Sequence, residues 1–216
     1  MNNEYTDLFT KISEMVPRIP GWCSISKAQT LAAIIMVRRP TLVLELGIFA
    51  GRSLIPMALA AKAVGNVRVI GVDPWRSDAS VQGQTEDHQK WWGQQILHDN
   101  AKGVFESWVA GLGLHDVVET HQMTSDDYST LLRQEGNKYG LLHVDGNHSQ
   151  QAIKDVLNFA CRMNAGSFCV MDDLQWDNGG PAAAVETLES MGFENRFVVQ
   201  RETAEEKDDY GVWQKN

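Results

Sequence analysis

One stretch constrains this chain more than any other: an apolar run, a turn with two glycines, and the start of a helix. It reads TLVLELGIFAGRS over residues 41–53. The apolar run is typical of a buried parallel strand, and residues 54–62 are rich in alanine and leucine, which favour helix. Gly47 and Gly51 allow a positive φ and let a ligand approach the backbone closely. This order predicts a nucleotide-binding crevice at the carboxyl end of a parallel sheet.

The spacing inside the turn narrows the class of ligand. The pattern is E-x-G-x-x-x-G, with Glu45 inside it, whereas a dinucleotide-binding turn has the tighter G-x-G-x-x-G spacing around a pyrophosphate. A wider turn with an acid beside it favours a ligand that has a charged amino-acid end and no diphosphate. A glycine turn that binds no ligand is the alternative interpretation.

Composition excludes several classes of protein. The 216 residues suffice for one α/β domain, and the apolar content of 43% is typical of globular proteins. A net charge of −9 argues against nucleic acid as a partner. No signal peptide or membrane-spanning run is expected, so we expect a cytoplasmic protein without a membrane partner. The three cysteines lack metal-type spacing, and we expect buried free thiols, above all at Cys161 and Cys169.

Further strands are predicted along the rest of the chain. Apolar runs at residues 67–73, 116–122, 141–144 and 167–171 alternate with predicted helices, and two closing strands follow at 197–201 and 211–214. Two helices are predicted before residue 40, the second one capped by Ser24 or Ser26. The sequence therefore predicts an α/β fold built on a largely parallel sheet.

Acidic residues follow four of the five alternating strands: Glu45, Asp73, Asp145 and the pair Asp172-Asp173. The carboxyl ends of parallel strands share one edge of a sheet, so these side chains are expected to lie close together. Carboxylates at such distances repel each other unless a cation lies among them. Oxygen ligands suit Mg²⁺ or a similar ion. The alternative is that Asp172 or Asp173 caps the turn at residues 175–179.

Asp73 ends the second strand, 73 − 47 = 26 residues after Gly47. An acid at this point is placed to bind the ribose hydroxyls of an adenosine group, and Trp75 is placed to lie over adenine. A turn acid before Pro74 is the alternative interpretation of Asp73. Thr124 and Ser125 follow the third strand, and Ser125 is predicted to cap the next helix.

Residues 76–93 form a polar connection that is longer than a compact α/β domain needs. Long connections are often lids or binding loops, so we interpret this segment as a mobile cover over the substrate. Trp91 and Trp92 close it. They are predicted either to line a pocket, because aromatic faces pack well on rings, or to anchor a helix over residues 94–112.

Residues 45–53, ELGIFAGRS, resemble the first motif of class I S-adenosylmethionine-dependent methyltransferases. Most of the chain is similar to the small metal-dependent O-methyltransferases of the catechol and the macrolide or sugar types. The resemblance implies one domain over residues 1–216, with N-terminal helices over 1–40 and a lid over 76–93. It implies a Rossmann-like three-layer sandwich whose seven-stranded, mostly parallel sheet has an antiparallel C-terminal strand. The implied cofactor-binding residues are Glu45, Gly47, Gly51, Ser53, Asp73, Trp75, Thr124, Ser125 and Asp145.

The resemblance also bears on the acids. In the metal-dependent members an aspartate ends the fourth strand and an Asp-Asp or Asp-Asn pair ends the fifth, as Asp145 and Asp172-Asp173 do here. Catechol-type members have a lysine as the base three residues after the first aspartate, where this sequence has His148. Sugar-modifying relatives have a second acid two residues after it, where this sequence has Asn147. Asp145, Asp172 and Asp173 are thus the expected metal ligands.

These parts predict methyl transfer to a hydroxyl of a small, sugar-like or ringed metabolite. A metal ion favours the deprotonated hydroxyl, and Asp145 and His148 are the predicted catalytic residues, with His148 (ordinary pKa ~6.5) taking the proton. A structural role is the alternative for His148, and His143 is expected in the core. Trp22 is predicted to pack, although the resemblance suggests that it lies near the substrate entrance. A homodimer through the N-terminal helices is also expected.

Three rival functions remain. A nicotinamide-dependent oxidoreductase would need the tighter glycine spacing and a Tyr-Lys or Cys-His pair, which the sequence lacks. A non-catalytic cofactor-binding or regulatory protein would not require the acids at residues 145, 172 and 173. Hydroxylase-like chemistry, known in relatives of this fold, would show itself by a requirement for oxygen.

Overall fold

Alternating strands and helices form one sheet with helices on both faces. The computed structural model describes residues 3–94, 98–132, 138–200 and 209–216. The helices are α1 Asn3–Met15, α2 Ile25–Arg38, α3 Leu54–Val64, α4 Ser77–Ser80, α5 Glu86–Gln94, α6 His98–Gly111, α7 Ser125–Leu131, α8 Gln151–Phe159 and α9 Gly180–Ser190. The strands are β1 Leu42–Leu46, β2 Arg68–Val72, β3 Val118–His121, β4 Tyr139–Val144, β5 Met163–Asp172, β6 Phe193–Val199 and β7 Tyr210–Lys215.

The seven strands lie in the order β3-β2-β1-β4-β5-β7-β6. β1 pairs in parallel with β2 on one side and with β4 on the other, and β7 pairs antiparallel with both β5 and β6. The predicted seven-stranded, mostly parallel sheet with an antiparallel C-terminal strand is therefore confirmed. The strand order reverses between β1 and β4, and such a switch point opens a crevice at the carboxyl ends of the strands.

Apolar residues on the two faces of the sheet form two cores. All five residues of β1 are buried, and the first eight residues of α3 are buried against the sheet. The first core also takes in α1 and α2, through residues such as Ile12 and Leu31. The second core joins α7, α8 and α9 to the other face. The N-terminal helices thus belong to the packing that holds the site.

Several boundaries differ from the sequence-based predictions. Thr124, not Ser125, caps α7, since its side chain accepts a hydrogen bond from the amide of Asp127. Ser24 rather than Ser26 caps α2. β5 and β6 begin at Met163 and Phe193, earlier than expected, because pairing with neighbouring strands extends them through polar residues.

The predicted cover over residues 76–93 contains two helices, α4 and α5. Residues 95–97 of the predicted helix and residues 201–208 of the predicted closing hairpin lie outside the described residues. Cys161 is exposed, contrary to expectation, because it lies in the 3-10 turn after α8, whereas Cys23 and Cys169 are buried free thiols. No helix within the described ranges is long and apolar enough to cross a bilayer.

Candidate active site: two adjoining pockets

Two pockets adjoin at the carboxyl edge of β1 and β4. The first has a volume of about 150 Å³ and the second about 280 Å³. Molecules held in the two pockets would meet at the shared wall. That wall consists of Gly47, Phe49, Trp92, Asp145, Gly146 and His148.

Gly47 sets the close approach of the turns that follow β1 and β4. Its φ is +91°, and a Cβ there would lie 2.1 Å from the carbonyl oxygen of Asp145 and 2.8 Å from the Cα of Gly146. The amide of Gly47 donates to Val72 (2.9 Å), and the amide of Asp145 donates to Leu46 (2.9 Å). Only glycine fits this position, which explains why the motif needs it.

Asp73 holds the turn after β1 in place. Its Oδ2 accepts hydrogen bonds of 2.8 Å from the amides of Ile48 and Phe49, and its Oδ1 accepts one of 2.6 Å from the amide of Trp75. Asp73 also lines the first pocket. The turn role is therefore present in the structure, and ribose binding stays a prediction.

Trp75 lies in the core and lines neither pocket. It is 2% exposed, its ring centroid is 5.9 Å from that of Phe105, and its Nε1 donates to the carbonyl of Phe49 (2.8 Å). Trp75 has a positive φ, and its ring lies beneath the β1 turn, a position that does not favour the expected contact with adenine, which stays a prediction. Gly51 also lies outside both pockets, with a Cβ position 2.5 Å from Phe105.

Glu45 and His143 form a buried pair under the second pocket. Glu45 Oε1 accepts a hydrogen bond from Ser53 Oγ (2.5 Å) and lies 2.7 Å from His143 Nδ1. Glu45 Oε2 and His143 Nε2 have no partner among the described residues. Ser53 lines the second pocket, whereas Glu45 lines neither, because its strand position points it into the interior. The expected place of His143 in the core is correct.

The far end of the first pocket is lined by Thr124, Ser125 and Asp155. Gln151 Nε2 donates to Asp155 Oδ1 (3.1 Å). Burial raises the pKa of Asp155 to about 6. Sequence reasoning missed Asp155 because it lies inside α8 and belongs to no motif.

Aromatic side chains form most of the wall of the second pocket. The ring centroid of Trp22 is 5.3 Å from those of Phe49, Trp91 and Trp92, and the centroids of Trp91 and Trp92 are 4.9 Å apart. Trp22 and both lid tryptophans line this pocket. Trp91 and Trp92 were predicted either to line a pocket or to anchor a helix. In the structure they line the pocket.

Asn147 connects residues 76–93, which we call the lid, to the turn after β4 by hydrogen bonds. Its Nδ2 donates to the carbonyls of Ala79 (3.0 Å) and Gln82 (2.8 Å), and its Oδ1 accepts from Gln84 Nε2 (3.2 Å). Gln84 Oε1 in turn accepts from Trp176 Nε1 (3.0 Å). The lid is therefore bound to two strand-end turns at once, a role of Asn147 that sequence reasoning missed.

Asp145 and Asp172 converge on a lysine that the sequence analysis did not consider. Lys27, on α2, is 2% exposed; its Nζ forms a salt bridge with Asp172 and lies 3.9 Å from Asp145 Oδ2. Burial opposes the charge of Asp172, but Lys27 outweighs it and holds the pKa of that carboxyl below its usual range. Burial and the charge of Asp172 raise the pKa of Asp145 well above its usual range.

His148 lies between Asp173 and Trp176. Its Nε2 is 2.9 Å from Asp173 Oδ2, and its ring centroid is 4.4 Å from that of Trp176. Burial lowers the pKa of His148 to about 4. The imidazole is therefore neutral at pH 7 and a weak base, with a lone pair on one of its two nitrogens.

Within the described ranges, two overlapping groups carry ligand atoms that lie within 4.8 Å of one another, close enough to hold a metal ion. We call His143, Asp145 and Asp172 the inner group, and Asp145, His148 and Asp173 the outer group. Lys27 already lies against the inner group. The outer group lines the second pocket, and its two carboxylates and imidazole suit a divalent cation. The predicted ligands Asp145, Asp172 and Asp173 are thus divided between the two groups, and the outer group, which has His148 in place of Asp172, fits a divalent cation.

The alternative role for Asp172 and Asp173 was to cap the turn at residues 175–179. The amide of Gln175 instead lies 3.3 Å from both carboxylate oxygens of Asp209. The cap of this turn thus comes from Asp209, directly before β7, and Asp172 points to Lys27.

Solved structures with the same fold include several O-methyltransferases. The O-methyltransferase TomG from Streptomyces achromogenes, involved in tomaymycin synthesis and solved in complex with SAM, aligns with a TM-score of 0.67 at 16% identity, over 97% of this chain and 89% of TomG. An O-methyltransferase from Bacillus cereus in complex with SAH aligns with a TM-score of 0.65 at 12% identity, over 100% of this chain and 92% of that enzyme. The O-methyltransferase NovP aligns with a TM-score of 0.65 at 14% identity, over 99% of this chain and 98% of NovP. At such identities the likeness shows the fold.

The family follows from the sequence comparison. No curated protein matches the chain significantly. A family model described as "Methyltransferase domain" matches residues 44–174, more than half of the chain, from β1 through the Asp172-Asp173 pair. This span contains the β1 turn, Asp73, the lid and Asp145. The chain therefore belongs to the methyltransferase-domain family.

Proposed function

We propose that this methyltransferase transfers the methyl group of S-adenosylmethionine to a hydroxyl of a small, sugar-like or ringed metabolite. One observation carries the proposal: two pockets meet at Gly47, Asp145, Gly146 and His148. A donor in one pocket and an acceptor in the other would face each other across this wall. The SAM in TomG and the SAH in the Bacillus cereus enzyme support the choice of donor.

The first pocket is assigned to the adenosine part of the donor. Asp73 lies beside it for the ribose, and Thr124 and Ser125 lie at its far end for adenine. Gly47 and Asp145 line both pockets and so lie where the sulfonium would be. The residues that do not line the pocket would act indirectly, because they support the β1 turn from the interior: Glu45, Gly51 and Trp75.

The second pocket is assigned to the acceptor. Trp22, Trp91 and Trp92 offer faces against which a ring packs. A divalent cation at the outer group, Mg²⁺ or a similar ion, would supply a Lewis acid that favours the deprotonated hydroxyl. Asp145 and His148 then orient this hydroxyl toward the shared wall.

The reaction needs little beyond orientation, because the methyl sulfonium is already reactive. The acceptor oxygen forms a bond to the methyl carbon while the carbon–sulfur bond breaks, which leaves S-adenosylhomocysteine. The hydroxyl proton passes to the carboxylate of Asp145, whose raised pKa makes it the better base, because the single lone pair of the neutral His148 imidazole would be used by the cation. Alignment of the two reactants in line supplies on the order of 7–11 kcal/mol of the barrier reduction.

Calorimetry tests the donor site. S-adenosylhomocysteine is expected to bind the wild-type protein, and Gly47→Val and Asp73→Ala are both expected to weaken binding, because each disturbs the β1 turn. Absence of any binding to the wild type would contradict the proposal.

A methyl-transfer assay with a mixed pool of hydroxylated sugars and phenols tests the reaction and the cation. We expect turnover that Mg²⁺ supports and EDTA lowers, and that the double variant Asp172→Ala with Asp173→Ala loses. Unchanged turnover under both treatments would refute the divalent cation while leaving methyl transfer in place.

A further inference from the structure

Lys27 is a buried ammonium among the acids of the acceptor site. It lies on the first turn of α2, and the hydroxyl of Ser24 accepts a hydrogen bond from its amide, which fixes the start of the helix. Its side chain lines the second pocket and forms a salt bridge with Asp172, and its Nζ lies 3.9 Å from Asp145 Oδ2. A buried charge of this kind is rare unless it is paired.

We propose that Lys27 is a built-in competitor of the divalent cation: its ammonium occupies the inner group and thereby weakens metal binding at the adjoining outer group. The two groups share Asp145, so a carboxylate that faces the ammonium is also a ligand of the metal. The inference rests on the proposed function in one respect, that this cluster takes up a divalent cation.

The charges around the cluster explain the competition. Asp145, Asp172 and Asp173 supply three carboxylates, and Lys27 is the ammonium that lies against two of them. Like charges repel strongly where water is excluded, so the ammonium raises the free energy of a dication nearby. Without a metal, the same ammonium keeps Asp172 from being a buried, unpaired charge, which is strongly destabilising.

A purely structural ion pair between α2 and β5 would behave differently. Its removal would destabilise the protein equally with and without metal, and it would leave metal affinity unchanged or lower. Competition instead couples the two properties: loss of Lys27 destabilises the metal-free protein, raises metal affinity, and lets the metal restore stability.

The experiment measures Mn²⁺ binding by electron paramagnetic resonance, and the melting temperature with and without Mn²⁺. The proteins are wild type, Lys27→Met and the control Lys11→Met, which removes an exposed lysine of α1. We expect Lys27→Met to bind Mn²⁺ at least about tenfold more tightly than wild type, which is ~1.4 kcal/mol. We also expect its melting temperature to be lower than that of wild type in EDTA, and to rise more on addition of Mn²⁺. The control should match wild type in every measurement.

Equal or weaker Mn²⁺ binding by Lys27→Met would overturn the inference, and so would absence of Mn²⁺ binding by both proteins. If Lys27→Met does not fold in EDTA, Lys27→Gln, which keeps a polar side chain in the cavity, is measured instead with the same expected order. These readouts do not involve turnover. A protein that shows the Mn²⁺ difference but no methyl transfer would therefore break the proposed function and leave the role of Lys27 standing.

Discussion

The two pockets are built by different means. Backbone turns at the ends of β1, β2 and β4 form one side of the first pocket, and at Gly47 they leave no room for a Cβ. Side chains from α2 and the segment before it, from α5 and from the turn after β5 shape the second, chiefly tryptophans and charged groups. A wall made of closely packed backbone tolerates few substitutions, whereas a wall made of side chains changes shape with each one. Under the proposed function, the fold would therefore determine the donor, and the side chains of the second pocket would determine the acceptor.

The largest effect is expected from Gly47→Ala, which fills the closest approach between two turns. Its Cβ would lie 2.1 Å from the carbonyl of Asp145, so we expect at least about a 100-fold loss of S-adenosylhomocysteine affinity, ~3 kcal/mol, by calorimetry. Gly65→Ala is the matched control, because Gly65 also has a positive φ (+74°) but has nothing within 4 Å of its Cβ position. Equal affinities of the two variants would show that the close approach does not shape the donor pocket.

Asp155→Asn tests the electrostatics of the first pocket. The pKa of Asp155 is raised by burial from 3.8 to about 6, so folding favours its protonated form. The contribution of Asp155 to the free energy of unfolding is therefore fully present below about pH 4 and is lost as the pH rises to about 6. Above pH 6 the wild-type protein stays less stable by a constant amount. Asparagine carries no charge and keeps an acceptor for Gln151. We expect Asp155→Asn to be more stable at pH 7.5 by roughly 2 to 3 kcal/mol.

Urea unfolding of wild type and Asp155→Asn at pH 4 and pH 7.5 measures this difference. The two proteins should differ little at pH 4. A stability difference that does not change between these pH values would show that Asp155 is not titrated in this range.

Trp92→Ala and Trp91→Ala separate the two pockets. Trp92 lines both, and Trp91 lines only the second. Truncation of a buried aromatic contact weakens binding by about tenfold, ~1.4 kcal/mol. Trp92→Ala should therefore raise the KM for the donor and the KM for the acceptor. Trp91→Ala should raise the KM for the acceptor only. If Trp91→Ala raised the KM of the donor as much, the division of the pockets would be wrong.

Asn147→Ala should have the smallest of these effects on ligand binding. It removes the hydrogen bonds between Asn147 and the lid residues Ala79, Gln82 and Gln84, each worth about 1 kcal/mol to the closed position of the lid. We expect faster hydrogen exchange of the amides in residues 77–82 and a several-fold rise in the KM of the acceptor. Unchanged exchange would show that packing of the lid helices, and not Asn147, keeps the lid in place.

The order of elements and the turns that line the first pocket could be predicted from the sequence because they are local. The β1 turn, Asp73 and Asp145 each follow an apolar strand directly, and the ends of parallel strands share one edge. One detail of this local prediction was wrong: Thr124 takes the capping role that was assigned to Ser125. Trp75 lies beneath the glycine turn and lines neither pocket, because backbone dihedrals at a turn decide which way a side chain points.

The second pocket could not be predicted to the same extent because its parts are far apart in the sequence. Lys27 is one of several lysines in the chain, and nothing beside it in the sequence marks it as the partner of Asp172. Trp22 was interpreted as a packing residue because only the folded chain brings it against Trp91 and Trp92. Asn147 was noted only as a departure from a family pattern, since its bonds run to the lid, more than 60 residues away along the chain.

A crystal structure of the S-adenosylhomocysteine complex tests the central claim most directly. The account predicts adenine beside Thr124 and Ser125, the ribose beside Asp73, and the sulfur at the wall between Gly47 and Asp145. The position of the transferred methyl group would then face the second pocket, between His148 and Trp92. S-adenosylhomocysteine bound in the second pocket, or bound in the first with its sulfur turned away from the shared wall, would contradict the account.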